Sequence, residues 1–310
     1  MPPDPSTSKK GHPVNRSLHR VPRKQTLSHL LAGALLSTGL GAHAQSTTPA
    51  DVAAPAAATV TVTSNINLLS QYRFRGIEQT WGKPAVQGGA DATWASGWYA
   101  GLWASNVSGN SYPGGSLELD YYGGYNGKLT EALGYTLGGY GYAYPGANVA
   151  RAACPSAAFS APCALPSQRF DTFELNGGLS WRWVSYKLSV SATDYFGANT
   201  RTGYQSGTHG SRYHDLTITW PLSDQLSLVA HLGRTEVRSR YGSEALSASY
   251  TDHRLALSQT WADGWNASLA WVGATNDRFF RPPVGGLSSA NDSTRALNRQ
   301  AMVVQVGRNF

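Results

Sequence analysis

Between Ser116 and Tyr125 the chain alternates without a break. Leu117, Leu119, Tyr121, Gly123 and Tyr125 fall on one parity, and Ser116, Glu118, Asp120, Tyr122 and Gly124 on the other. Successive side chains of a strand point to opposite faces, so this stretch predicts one oily face and one face with two carboxylates. A soluble sheet packed on a core would show the same alternation, so one strand decides nothing. The pattern recurs, however. Twelve strand-like segments are predicted, at roughly 59–72, 84–94, 98–105, 116–125, 133–144, 169–181, 184–194, 212–220, 226–234, 250–260, 265–275 and 300–310. The fifth, dense in Gly and Tyr, is ambiguous in its facing.

The connections alternate in length. Short ones fall at 95–97, 126–132, around Arg182, 221–225 and 262–264; long ones at 73–83, 106–115, 145–168, 197–211, 235–249 and 276–299. In bacterial outer-membrane barrels short turns face the periplasm and long loops the outside, and an even strand count returns both termini to the periplasm. The expectation is an all-β fold: a twelve-stranded antiparallel transmembrane β-barrel with short periplasmic turns and long extracellular loops, in the cell outer membrane. Trp94, Trp98, Trp181, Trp183, Trp220, Trp261 and Trp265 all flank short turns. The indole prefers headgroup level, so a ring of Trp at one end marks one membrane interface. The last segment closes on Phe310, with Met302, Val304 and Val306 on the same face. Such a terminal aromatic strand is what the outer-membrane assembly machinery typically recognises. Arg308 shares that lipid-facing parity and is expected to snorkel toward the interface.

Charge changes the picture only at the start of the chain. The formal charge of +7 invites a nucleic-acid partner, but Lys9, Lys10, Arg16, Arg20, Arg23 and Lys24 lie before residue 25 and are opposed by Asp4 alone. Without them, 19 basic residues face 17 acidic ones. No nucleic-acid partner is expected. The basic region, the apolar run Leu27–Leu40 and Ala42-His43-Ala44 read as a secretory signal peptide spanning 1–44. Residues 45–58 read as a flexible linker, or a small plug, and 59–310 as the barrel. No later stretch is long and apolar enough for a spanning helix. Cys154 and Cys163 form an even, local pair in an exported chain, which predicts a disulfide; a metal or redox pair lacks Cys-x-x-Cys spacing and nearby His.

Parity places Gln87, Asp91, Glu118, Asp120, Glu174, Lys187, Asp215, His231 and Arg254 inward. Eight strands leave a filled interior and sixteen an aqueous channel, so with twelve the lumen side chains decide. Carboxylates outnumber firm cations among them, which predicts a narrow path for small polar solutes with mild cation preference. The plainer alternative is that these charges pair across the lumen and only keep it wet. Arg73 and Arg75, in RFRGIEQTWGKP, could enter the lumen mouth, bind an anionic ligand or contact lipopolysaccharide phosphates, and lipopolysaccharide contact is also the plainer expectation for Arg234, Arg238, Arg240, Arg278 and Arg281. His209, His214, His231 and His253 sit in no motif with a nucleophile, and Asp194, Asp252 and His253 only loosely suggest rim protease chemistry. No enzyme, metal or cofactor is expected. Two functions stay open: a porin-like channel, or a non-conducting barrel serving as receptor, adhesin or structural anchor through its loops.

The run Ser70, Tyr72, Arg75-Gly76-Ile77, Gln79-Thr80, Pro84-Ala85 and Gln87-Gly88 resembles the start of the TorF family of porins. Gly97, Tyr99, Gly101, Ser105-Asn106-Val107, Leu117 to Asp120, Gly123-Gly124-Tyr125 and Tyr144-Pro145-Gly146 continue the resemblance. It covers residues 60–146 well and the rest weakly. The cysteine loop and the long loop before the last strand depart from the family pattern. The resemblance implies a proteobacterial outer-membrane barrel with pore activity, and no particular solute.

Overall fold

The computed structural model describes residues 60–152, 166–280 and 295–310. Twelve strands close into one antiparallel barrel. They are β1 (Val60–Leu69), β2 (Ala85–Trp94), β3 (Trp98–Asn106), β4 (Leu117–Lys128), β5 (Leu133–Ala143) and β6 (Thr172–Trp181). The second half comprises β7 (Val184–Ser191), β8 (Arg212–Pro221), β9 (Leu226–Glu236), β10 (Tyr250–Thr260), β11 (Trp265–Ala274) and β12 (Ala301–Asn309). Each strand pairs with the next in sequence, and β12 closes on β1 with Asn65 opposite Asn309 and Leu69 opposite Gln305. Closure is what hydrocarbon demands, because an unpaired backbone group there costs several kcal/mol. The expected signal peptide and linker, and the Cys154–Cys163 pair, lie outside the described residues.

The two-residue period puts oil outside. Val62, Leu68, Val86, Leu102, Leu119, Leu137, Leu175, Leu216, Leu232, Leu257, Leu269 and Val304 are exposed, while neighbouring Gln87, Glu118, Asp120, Glu174, Ser258, Ser268 and Gln305 are buried. A soluble protein would invert this arrangement. An apolar outer belt around a polar interior is the signature of a barrel that spans a membrane with its strands. At the short-turn end, Trp98, Trp181, Trp220, Trp261 and Trp265 stand exposed in a girdle. Trp183 packs against Trp181 and Trp220, with ring centroids 5.9 and 5.0 Å away. Arg308 rests its guanidinium over Trp265 and Phe310, at 5.5 and 5.2 Å, which is how a cation is carried at that rim.

Short turns at 95–97, 129–132, 182–183, 222–225 and 261–264 join strands at one end. The connections at 70–84, 107–116, 192–211 and 237–249, and the described parts of 144–171 and 275–300, lie at the other. The first of these does not stay on the surface. The expected strand over 59–72 stops at Leu69, and Tyr72 through Thr80 are all buried.

Candidate functional site: a hairpin across the bore

Residues Arg73–Phe74 and Ile77–Glu78 pair as a small hairpin outside the barrel sheet. Its tip is Arg75-Gly76, with φ of 47° and 76°. Two left-handed residues in a two-residue loop make a type I′ turn, whose twist suits a hairpin and whose second place favours Gly. Arg75 in this region costs about 1–2 kcal/mol, so something must hold it there.

The holder is the far wall. The guanidinium of Arg75 donates to both oxygens of Glu174 on β6, at 2.9 and 2.6 Å, and to the Tyr195 hydroxyl at 3.1 Å. It also lies 4.0 Å above the ring of Tyr213 on β8. The hairpin leaves from β1 and β2, and β6 to β8 stand on the opposite side of the strand order. The hairpin therefore crosses the bore. Burial disfavours the charged guanidinium, but Glu174, with help from Tyr195 and Tyr142, outweighs this and lifts Arg75 well above its ordinary pKa. Gly76 meets β10 and β11, where a Cβ would sit 2.6 Å from the Gly273 carbonyl oxygen and 2.7 Å from the Asp252 Cβ. Phe74 packs edge-on against Tyr142 and Phe196, with centroids 5.7 and 5.4 Å away. At the base, Glu78 pairs with Arg73 at 3.4 Å and with Arg295 at 2.7 Å.

Around this insert, β2 to β6 form a wall of carboxylates and tyrosines. Tyr122 donates to Asp91 at 2.7 Å, Tyr140 to Asp120 at 3.0 Å, Tyr144 to Glu118 at 3.1 Å and Tyr142 to Glu174 at 3.3 Å. The rings stack on one another, Tyr122 on Tyr140 at 4.9 Å and Tyr112 on Tyr144 at 4.0 Å. Glu118 and Asp120 are fully buried, and each keeps one oxygen without a hydrogen-bond partner. Gln87, on the same side, donates to the Ser105 hydroxyl at 3.3 Å.

The opposite wall carries a ladder of mixed charge. Lys187 on β7 stands opposite Asp215 on β8, and His231 on β9 opposite Arg254 on β10. The imidazole of His231 lies between two carboxylates, with Nδ1 3.2 Å from Asp215 and Nε2 3.0 Å from Asp252. Thr217 donates to Asp215 at 2.8 Å and also lies 3.0 Å from His231 Nδ1. The hydroxyl, imidazole and carboxylate superficially resemble a nucleophile triad. Both ring nitrogens face carboxylates, however, and Thr217 donates to Asp215, so the imidazole is not set apart as a base for Thr217 as in a triad. His214 and His253 face outward, beside Tyr186 and Trp271, and His209 is on an exposed loop.

Of the nine residues expected to face inward, Gln87, Glu118, Asp120, Glu174 and Arg254 are buried and Asp91, Lys187, Asp215 and His231 half-buried, in two separate sets rather than one ring. Of the expectations for Arg73 and Arg75, lipopolysaccharide contact requires a correction. Both arginines are buried inside the barrel against Glu78 and Glu174, out of reach of lipid phosphates at the outer rim. The surface alternative rested on loops usually lying outside. Asp252 was missed as an inward residue, although it lies two positions from Arg254 and shares its face. Tyr140 and Tyr142 were missed because their Gly-rich strand could face either way.

A family model described as a bacterial protein of unknown function (Gcw_chp) matches residues 53–310. No curated protein matches the chain. Among solved structures it is similar to the NanC porin, at 10% identity over 81% of this chain and 99% of that one, with a TM-score of 0.46. It is similar to the KdgM porin at 9% identity over 80% and 98%, with a TM-score of 0.45. It also matches the COG4313 outer membrane channel from Pseudomonas putida F1, at 12% identity over 85% and 100%, with a TM-score of 0.38.

Proposed function

The chain belongs to the Gcw_chp family of bacterial proteins, an even-stranded bacterial barrel of this kind sits in the outer membrane, and we propose that it is a porin-like channel for small polar solutes, stoppered by its first long loop. One observation carries this reading. The barrel wall is complete without the hairpin, which forms a separate two-stranded sheet inside it. The stopper can leave without breaking a ladder hydrogen bond of the wall. What it would leave behind is a polar bore lined by Asp91, Glu118, Asp120 and Glu174 on one side. With Arg75 withdrawn, those four carboxylates face the water without a firm cation of their own, which favours mild cation preference. The resemblance of residues 60–146 to TorF-family porins points the same way.

The second reading, a non-conducting barrel acting as receptor, adhesin or anchor through its loops, draws on the same hairpin. A plug seated against the far wall by a buried ion pair suits a barrel that never opens. Planar-bilayer recordings separate the two. Wild-type protein is expected to show brief openings, and a variant with residues 72–80 replaced by a short Gly-Ser linker a steady, larger, cation-preferring conductance. A silent wild type beside a conducting deletion would favour the permanent plug, and a silent but folded deletion would sink the channel altogether. In the deletion background, Glu118→Gln with Asp120→Asn should reduce cation preference several-fold, since each charge is worth about 1 kcal/mol to an ion 4 Å away in water.

A further inference from the structure

The outer wall at the long-loop end is not uniform. On β1, β2, β4 and β12 the lipid-facing residues remain apolar up to the rim: Leu68, Val86, Leu117 and Met302 are all exposed. On β8 to β10 the same level is polar. Arg212, His214 and Arg234 face outward there, beside Thr251 and His253. Immediately below them stand the exposed Leu216, Leu232, Leu255 and Trp271.

Register draws these side chains into one patch. His214 lies directly opposite Arg234, and Arg234 directly opposite Thr251. The carboxylate in the patch, Glu236, faces Arg212 in register but lies toward His214, with Nε2 3.8 Å away. Among the described residues neither Arg212 nor Arg234 forms an ion pair, and Arg234 makes only a hydrogen bond to the Thr251 hydroxyl at 3.3 Å. Two exposed guanidinium groups, a fork suited to phosphate oxygens, thus stand at headgroup level directly above an apolar wall.

We infer that this patch binds the phosphate of an outer-leaflet lipid, with Arg212 and Arg234 as the phosphate ligands and the leucines below them as the seat of its acyl chains. The long-loop end of a bacterial barrel faces the outside, where that leaflet carries lipopolysaccharide. Free phosphate fits the guanidiniums but would leave the apolar half of the seat unused. A lipid fills both. The assignment concerns the outer wall and does not depend on whether the bore conducts.

Native mass spectrometry of the detergent-solubilised barrel tests it, with diphosphoryl lipid A as the probe. Lipid A is expected to remain bound to wild type and to bind Arg212→Gln/Arg234→Gln at least roughly tenfold more weakly, as loss of hydrogen bonds to a charged group implies. Dephosphorylated lipid A with the same acyl chains should bind both proteins equally poorly, and excess inorganic phosphate should not displace lipid A. Arg151→Gln, on the β5–β6 connection, should behave as wild type. Should the glutamine variant fail to fold, Arg212→Lys/Arg234→Lys keeps the charge but loses the fork, and partial loss is expected. Equal lipid A binding by wild type and either double variant overturns the assignment. So does equal retention of the dephosphorylated lipid, or complete displacement by inorganic phosphate.

Discussion

On β2, β4 and β6 the inward carboxylates Asp91, Glu118, Asp120 and Glu174 are met by tyrosine hydroxyls. On β8 and β10, Asp215 and Asp252 are met by His231 between them, with Lys187 across the ladder. The second wall supplies its own counter-charges from neighbouring strands, so it stays balanced whatever fills the bore. The first wall borrows its cation from Arg75, which arrives on the hairpin. Seating the hairpin and pairing Glu174 with a cation are therefore one event. The hairpin sits where it does because Glu174 needs Arg75 as much as Arg75 needs Glu174.

The largest way to break this contrast is Glu174→Ala. Removing one partner of a buried ion pair costs about 3–5 kcal/mol when the other charge must stay buried. Here the hairpin has an escape, because Arg75 can return to water by swinging out of the bore. Conductance of this variant should approach that of the hairpin deletion, whereas a variant with the closed-state traces of wild type would show that the ion pair does not seat the hairpin. Gly76→Ala should act in the same direction more weakly. The added Cβ meets the Gly273 carbonyl oxygen at 2.6 Å on a backbone with φ of 76°, an overpacking cost of about 1–3 kcal/mol. More frequent openings are expected in bilayer recordings; an unaltered open probability would mean that Gly76 does not seat against β10 and β11.

The wall itself was legible in the sequence, and the stopper was not. Glu118 and Asp120 lie between Leu117, Leu119 and Tyr121, and a two-residue period needs nothing beyond that order to assign faces. The rows of Trp at short turns fixed one rim by the same kind of local reasoning. No comparable rule covers 70–84. A loop has no period, so its destination depends on what it meets across the bore, and that partner, Glu174, lies 99 residues further on. Some signal was present. Tyr72, Phe74 and Ile77 are too apolar for an exposed loop, and Arg-Gly between them marks a tight turn. Asp252 was within reach of the same count that placed Arg254. Tyr140 and Tyr142 were not, because Gly on both parities leaves neither face marked.

A matched pair of hydroxyl deletions gives the smallest and most direct measure of the difference between the walls. Tyr140→Phe removes the one side-chain donor to Asp120 among the described residues; Asp120 is fully buried and already has one oxygen without a partner. Leaving a buried acceptor unsatisfied costs about 1–3 kcal/mol. Thr217→Val removes a donor from Asp215 too, but that carboxylate keeps His231 at 3.2 Å and faces Lys187 across the ladder. The loss there should be about 0.5–1.5 kcal/mol, the net worth of one ordinary hydrogen bond. Urea unfolding of each variant in lipid vesicles, followed by tryptophan fluorescence, reads both costs on one scale. The acidic wall should suffer more from losing one hydroxyl than the laddered wall, because only the latter holds a second partner in reserve. Equal losses would mean that Asp120 has a donor besides Tyr140, and that the two walls differ in charge without differing in how firmly each carboxylate is held.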